Sequence, residues 1–257
     1  MEILAIETTG PFSSVALLRP DGKVEEAVSD RLLSHLQDLV PKIEGLLSDC
    51  KLSIGDITHI AVSEGPGSFT GIRIGMATAK ALAQVLTLPL IPVPTLKAFA
   101  WNLPGEDGLV CPVLDARRSQ VYAGAYRRRG EQVEQLLADG AYSIEEFCRL
   151  VKAAGGEKEK ALWFGDGLAV YGQAILESAP EDGLWTFAPQ AARFQKASSA
   201  VRLAHSLLAE GRTVSVEELR PVYLRKAEAE RKLEENQKAK AGQNQGPEGS
   251  GRQEPSS

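Results

Sequence analysis

The sequence is short of the residues on which hydrolases and metalloproteins usually depend. It holds three histidines in 257 residues. His35, His59 and His205 stand apart, with no HxxxH or HExxH spacing, so no helical pair of imidazoles for a metal is encoded. Three cysteines, Cys50, Cys111 and Cys148, are odd in number, widely spaced and without a CxxC pair. That pattern excludes a disulfide framework and reads as small buried hydrophobes in a reducing compartment. No serine lies in a GxSxG setting, which removes one common nucleophile. No apolar run approaches the roughly 18 residues of a membrane span, and no basic then apolar leader opens the chain. A cytoplasmic protein with no membrane partner is therefore expected. Basic residues are in deficit as well, 29 against 34 acidic ones for a net charge of −5. Contact with a polyanion would need a local patch or a partner.

What is present is an ordinary globular composition, 43% hydrophobic and 25% charged, enough for one large or two modest domains. Three short apolar stretches, Ile3 to Thr8, Ser13 to Leu18 and Lys23 to Ser29, are separated by turns at Gly10-Pro11 and Asp21-Gly22 and predict an antiparallel meander. Ser34 and Gln37 then form a capping box ahead of Leu36, Leu39, Val40, Ile43, Leu46 and Leu47 at helical spacing, with Pro41 expected to bend the helix or shorten its first turn. A strand at Ile57 to Ser63, a helix at Thr70 to Leu86 and a strand at Leu88 to Val93 complete the order β-β-β-α-β-α-β. This order predicts an α/β fold of ribonuclease H-like type, a mixed sheet with helices against it.

A second round of similar elements begins near Leu109 and ends with a helix at Ala197 to Glu210. The chain thus reads as residues 1–104, residues 105–225 and a tail at 226–257, where Leu233 is the one strongly apolar residue and charges of both signs alternate with Gly, Gln, Pro and Ser. Such a tail buries too little to offset its ordering and is expected to be largely disordered.

Two turns in the first half carry polar or glycine-rich chemistry. Glu7-Thr8-Thr9, with Ser13 and Ser14, sets a carboxylate and hydroxyls around a tight turn, as a phosphate and Mg²⁺ site requires and as an ordinary strand end also does. The run Gly65-Pro66-Gly67-Ser68-Phe69-Thr70-Gly71 lies between a strand and a helix without matching a P-loop or GxGxxG. In the helix that follows, Gly71, Gly75, Ala79 and Ala83 recur every four residues. Glycine costs about 1 kcal/mol in a helix interior relative to alanine, so the stripe asks for close packing. Whether the packing is within the chain or against another one stays open on spacing alone. In the second half, Asp115-Ala116-Arg117-Arg118 forms a turn where a nucleotide cleft would need glycine, and Arg127-Arg128-Arg129 reads as a solvated hairpin tip.

Ile3-Leu4-Ala5-Ile6-Glu7-Thr8, Ser14-Val15-Ala16-Leu17, the stretch Gly65 to Gly75, Asp115-Ala116-Arg117 with Val121-Tyr122, and Pro221-Val222-Tyr223-Leu224-Arg225 together resemble the TsaB family. These are accessory subunits for N6-threonylcarbamoyladenosine (t6A) formation in tRNA, related to the catalytic TsaD within the actin-like ATPase superfamily. The resemblance spans Met1 to Arg225 and implies two actin-like halves. It also implies a heterodimer with TsaD, joined by the ATPase TsaE, with tRNA contacted indirectly. TsaD-like relatives carry a metal-binding HxxxH at the positions of Thr95 and Phe99, and a glycine-rich phosphate hairpin at the Asp115 to Arg118 turn, so no catalytic residue and no metal ligand is expected here. No intrinsic cofactor is expected; ATP or ADP in the cleft stays open, with Glu7, Thr8 and Asp115 the nearest candidates and Glu7, usually aspartate in the family, expected to push into the cleft. TsaB-like proteins pair through their first two helices. That implication favours an intermolecular stripe and marks Leu36, Leu39, Val40, Ile43, Gly71, Ile72, Gly75, Met76, Ala79 and Ala83 as the partner interface. A homodimer in isolation stays open. The alternative is an ATPase or kinase using the cleft, with Glu7 and Asp115 as metal-side carboxylates.

Overall fold

The computed structural model describes residues 1–32, 35–103, 105–180 and 183–225. The expected Ser34 cap and the tail at 226–257 lie outside these residues.

Strand β1 (Ile3–Glu7) pairs antiparallel with β2 (Ser14–Leu18), Ile3 opposite Leu18 and Glu7 opposite Ser14, and β2 pairs antiparallel with β3 (Val24–Val28). On its other edge β1 runs parallel to β4 (His59–Gly65), which runs parallel to β5 (Leu90–Pro94). The order is β3-β2-β1-β4-β5. β1 and β2 are buried at every position because both sheet faces are covered, which is why they read as continuous apolar runs rather than alternating ones. On one face, Leu4, Ile6, Val15 and Leu17 pack with Leu39 and Ile43 of α1 (His35–Asp49) and with Ile72, Met76 and Ala79 of α2 (Phe69–Leu86). On the other face, Ile3, Ala5, Ala16 and Leu18 meet the small-faced helix α6 (Ala197–Ala209) through Ala197, Ala200, Val201 and Ala204.

The second sheet repeats this plan. β6 (Gly108–Asp115), β7 (Val121–Arg129) and β8 (Gln132–Tyr142) form the meander, β9 (Ala161–Phe164) pairs parallel with β6, and β10 (Trp185–Phe187) with β9. The order β10-β9-β6-β7-β8 is the first sheet's order read from the other edge. α4 (Ile144–Val151) and α5 (Leu168–Glu177) cover one face with Phe147, Val151 and Ile175. Val110, Tyr126 and Phe164 on the other face join the same core as α6. The expected α/β architecture of two mixed sheets with helices is the one observed.

Three details differ from expectation. α1 runs through Pro41 without interruption, because Gln37 and Pro41 are exposed and water can satisfy the carbonyl that the missing N–H leaves free. A short helix, α3 (Thr95–Ala98), continues as a tight turn to Trp101, too brief to show a helical period. The arginine run is not a solvated tip. Arg127 pairs with Glu159 at 2.9 Å. Arg128 is 3% exposed and donates to the carbonyls of Ala100 (2.8 Å), Leu103 (3.0 Å) and Gly130 (2.9 Å), fastening the β7–β8 hairpin to the segment that joins the two sheets. Among the described residues no helix is long and apolar enough to cross a membrane.

Candidate functional site

The Glu7 turn and the glycine-rich turn are parts of one structure. The Glu7 carboxylate accepts hydrogen bonds from the Thr9 backbone N–H (2.5 Å), the Thr9 hydroxyl (2.6 Å) and the Ser63 hydroxyl at the end of β4. It is 1% exposed. Burial pushes it above the ordinary carboxylate range, against the opposing bonds from Ser63 and Thr9. Glu7 therefore folds back between β1 and β4 rather than extending into the cleft: three donors of its own chain surround it, and its longer arm reaches Ser63. Thr8 is engaged similarly, its hydroxyl donating to the Gly71 carbonyl at 2.7 Å. The Ser68 N–H donates to the Thr9 carbonyl at 2.8 Å, and the Ser68 hydroxyl caps α2 by accepting from the Gly71 N–H at 3.2 Å.

These contacts explain the small-residue stripe. A Cβ on Gly71 would overlap the Thr8 carbonyl, and one on Gly75 would overlap the Thr8 hydroxyl. Ala79 and Ala83 are buried in the core beneath the sheet. The stripe faces the chain's own first sheet, which corrects its assignment to a partner. Leu39, Ile43, Ile72 and Met76 likewise point inward, since a helix on a sheet must turn its apolar side to that sheet. Of the marked interface residues, Leu36 (79% exposed) and Val40 (51%) point outward. The outer side of α2 carries Arg73, Ala77, Ala81, Gln84 and Val85 instead, the last 83% exposed. α1 and α2 touch and cover the same sheet face. Their outer sides thus set apolar Leu36, Val40, Ala77, Ala81 and Val85 among polar Gln37, Glu44, Arg73 and Gln84.

In the second half, Asp115 ends β6. Its side chain accepts from the Arg117 N–H at 2.8 Å and pairs with the Arg117 guanidinium at 3.3 Å, while its own N–H donates to Asp166 at 3.1 Å. Arg117, Arg118 and Ser119 all take left-handed backbone (φ 62°, 56° and 58°), costing roughly 1 kcal/mol each, with Asp115 stabilising the turn in the manner of an Asx turn. Asp166 carries no motif of its own in the sequence. Its signal is the flanking pair Gly165 and Gly167 between a strand and a helix, where a Cβ on Gly165 would overlap the Val113 carbonyl. Burial raises the Asp166 carboxyl, the Asp115 N–H opposes this and the Asp115 charge adds to it.

The positions that the resemblance aligns with metal ligands are core. Thr95 and Phe99 are each 1% exposed, and Phe99 packs on Phe164 with ring centroids 5.7 Å apart. Among the described residues no three His, Cys, Asp or Glu side chains come together as a metal site. Cys111 and Cys148 are buried and Cys50 half-buried, and burial pushes the Cys148 thiol up to about 11.

Comparison with known proteins agrees with this arrangement. A family model described as TsaD, tRNA N6-adenosine threonylcarbamoyltransferase, matches residues 30–233. The tRNA threonylcarbamoyladenosine biosynthesis protein TsaB of Bacillus subtilis is 36% identical over 241 residues, covering 93% of this chain and 100% of the relative. Its Escherichia coli counterpart is 34% identical over 241 residues, covering 91% and 98%. A crystal structure from Pseudomonas aeruginosa, described as similar to peptidase YEAZ, superposes with a TM-score of 0.75 at 26% identity, over 87% of this chain and 99% of that one. With the duplicated sheet, the Glu7 turn pressed on the glycine-rich turn, and these relatives matched over nearly their whole length, the chain belongs to the TsaB family of tRNA threonylcarbamoyladenosine biosynthesis proteins.

Proposed function

We propose that this chain is the non-catalytic accessory subunit of t6A formation, docking the outer sides of α1 and α2 onto a TsaD-family catalytic subunit. TsaE joins that pair during threonylcarbamoyl transfer to tRNA adenosine. The observation that carries this reading is the set of exposed apolar residues Leu36, Val40, Ala77, Ala81 and Val85 on the outer sides of these two helices. Exposed aliphatic side chains on adjacent helices gain roughly 1.5–3 kcal/mol each when fully covered, and the two alanines let another helix backbone come close. A TsaD-family partner is related to this chain through the matching family model, so its corresponding helix pair is the natural counterpart, giving a four-helix contact. The buried Thr95 and Phe99 and the internally bonded Glu7 support a subunit that adds no reacting group and favours the competent state of its partner.

The test is deletion of the gene, with mass spectrometry of the tRNA nucleosides. Deletion is expected to remove t6A, the wild-type gene to restore it, and an Ala81→Arg gene to restore it poorly. Unchanged t6A after deletion would overturn the proposal.

A further inference from the structure

One cation of the outer layer is held in place by the rest of the fold. The Arg73 guanidinium lies 4.0 Å from the centroid of the Phe69 ring, and its Nε donates to the Tyr223 hydroxyl at 3.2 Å. Phe69 and Tyr223 stack on each other, centroids 4.7 Å apart and planes 30° from parallel. Tyr223 in turn belongs to a strap that the core anchors. Leu219 is buried among α1, α2 and the first sheet. The Val222 N–H donates to the Glu64 carbonyl at 2.8 Å, and the Val222 carbonyl lies where a Cβ on Gly65 would be, a position with φ of 114°. Glycine at 65 therefore serves the strap as well as the turn.

An exposed arginine ordinarily samples many rotamers, and binding must then order it. Here one ring covers a face of the guanidinium and a phenol fixes Nε, while among the described residues Nη1 and Nη2 have no partner. Those two nitrogens present parallel N–H groups matched to the two oxygens of a carboxylate. Ala77 follows one helical turn later on the same outer side, so a partner helix settling there would shield the pair from water, where a mismatched group is strongly disfavoured.

We propose that Arg73, positioned by Phe69 and Tyr223, sets the register and partner choice of the α1/α2 face by engaging one carboxylate on the docking helices of the TsaD-family subunit. This rests on the docking reading above. Tyr223 and Phe69 act as positioning residues that need not touch the partner.

The test is the affinity of the full chain for its TsaD-family partner, with thermal melts confirming that each variant folds. Arg73→Gln is expected to weaken binding on the order of 30-fold or more, and Arg73→Lys, which keeps the charge without the planar fork, to recover part of it. Tyr223→Phe, which keeps the stacking and loses the acceptor for Nε, is expected to weaken binding by a few fold at unchanged melting temperature. Arg73→Glu should be rescued by lysine in place of one acidic residue on the partner's docking helices. A wild-type chain that binds beside an Arg73→Gln variant that binds equally well overturns this inference alone. So does failure of every such charge swap. A wild-type chain that does not bind overturns the docking reading and this inference with it.

Discussion

The two sheets share one strand order and one device at the matching turn, yet their outer helix layers differ. Where the fourth strand gives way to the next helix, each half presses a glycine onto a backbone carbonyl in or just after its first strand: Gly71, in the first turn of α2, on Thr8, and Gly165, ahead of α5, on Val113. This closeness is what the fold needs to seat a helix on its sheet, and since both halves have it, it says little about function. On the outside, α1 and α2 present Leu36, Val40, Ala77, Ala81 and Val85 among Gln37, Glu44, Arg73 and Gln84. α4 presents Glu145, Glu146 and Arg149, beside an α5 that mixes Val170 and Leu176 with Gln173 and Glu177. The lesson is that an internal packing device can be as glycine-rich as an interface, and the residues that distinguish one half from the other lie on the opposite side of the same helix.

The largest expected effect tests the shared device. Gly71→Ala and Gly165→Ala should each destabilise the chain by about 3 kcal/mol or more in urea unfolding, because neither backbone carbonyl can move away from a new Cβ without disturbing the strand or turn that holds it. Gly45→Ala on the exposed side of α1, where a Cβ meets nothing within 4 Å, should instead stabilise by roughly 0.5–1 kcal/mol. A comparable loss at Gly71 and Gly165 supports one packing device shared by the halves; a silent Gly165→Ala contradicts it.

A smaller effect separates the arginines of the β7–β8 hairpin. Arg128→Met should cost about 2–3 kcal/mol, since it leaves the buried carbonyl of Ala100 and the half-buried carbonyl of Leu103 without their donor. Arg129→Met, at an exposed position, should stay within about 0.5 kcal/mol. Equal effects at both positions would contradict the role given to Arg128 as a fastener between the sheets.

The smallest concerns Glu7. Its folded pKa is raised by burial, so the folded state holds the proton more tightly than the unfolded chain. The contribution is fully present below the unfolded carboxyl value and is lost as pH rises through the raised folded value. The stability of wild type relative to Glu7→Gln should therefore fall as pH rises above the ordinary carboxyl range, measured by unfolding at a series of pH values. A pH-independent difference would contradict the buried placement of this carboxyl.

The sequence made the strands and the long helices readable, because β1 and β2 are unbroken apolar runs and α1 keeps a helical period through Leu39, Ile43, Leu46 and Leu47. It could not orient the stripe on α2. A four-residue repeat has the same spacing whichever way it faces, and what fixes it is Thr8, far away in the chain. The key pairs of the site are similarly remote: Ser63 reaches Glu7 across 56 positions, Asp166 meets Asp115 across 51, and Tyr223 meets Arg73 across 150. Such contacts leave no local period. Arg128 read as solvated because a triple-arginine turn ordinarily is, and only the carbonyls of the joining segment reveal otherwise.

The most direct test of the account is the affinity for the TsaD-family subunit of three chains: wild type, Ala77→Arg on the outer side of α2, and Val170→Arg at an exposed site of α5 in the other half. Ala77→Arg is expected to weaken binding on the order of 100-fold, by preventing close approach of a partner helix, and Val170→Arg to bind as wild type does. Wild-type affinity for Ala77→Arg together with loss of binding for Val170→Arg would contradict it and move the interface to the second half.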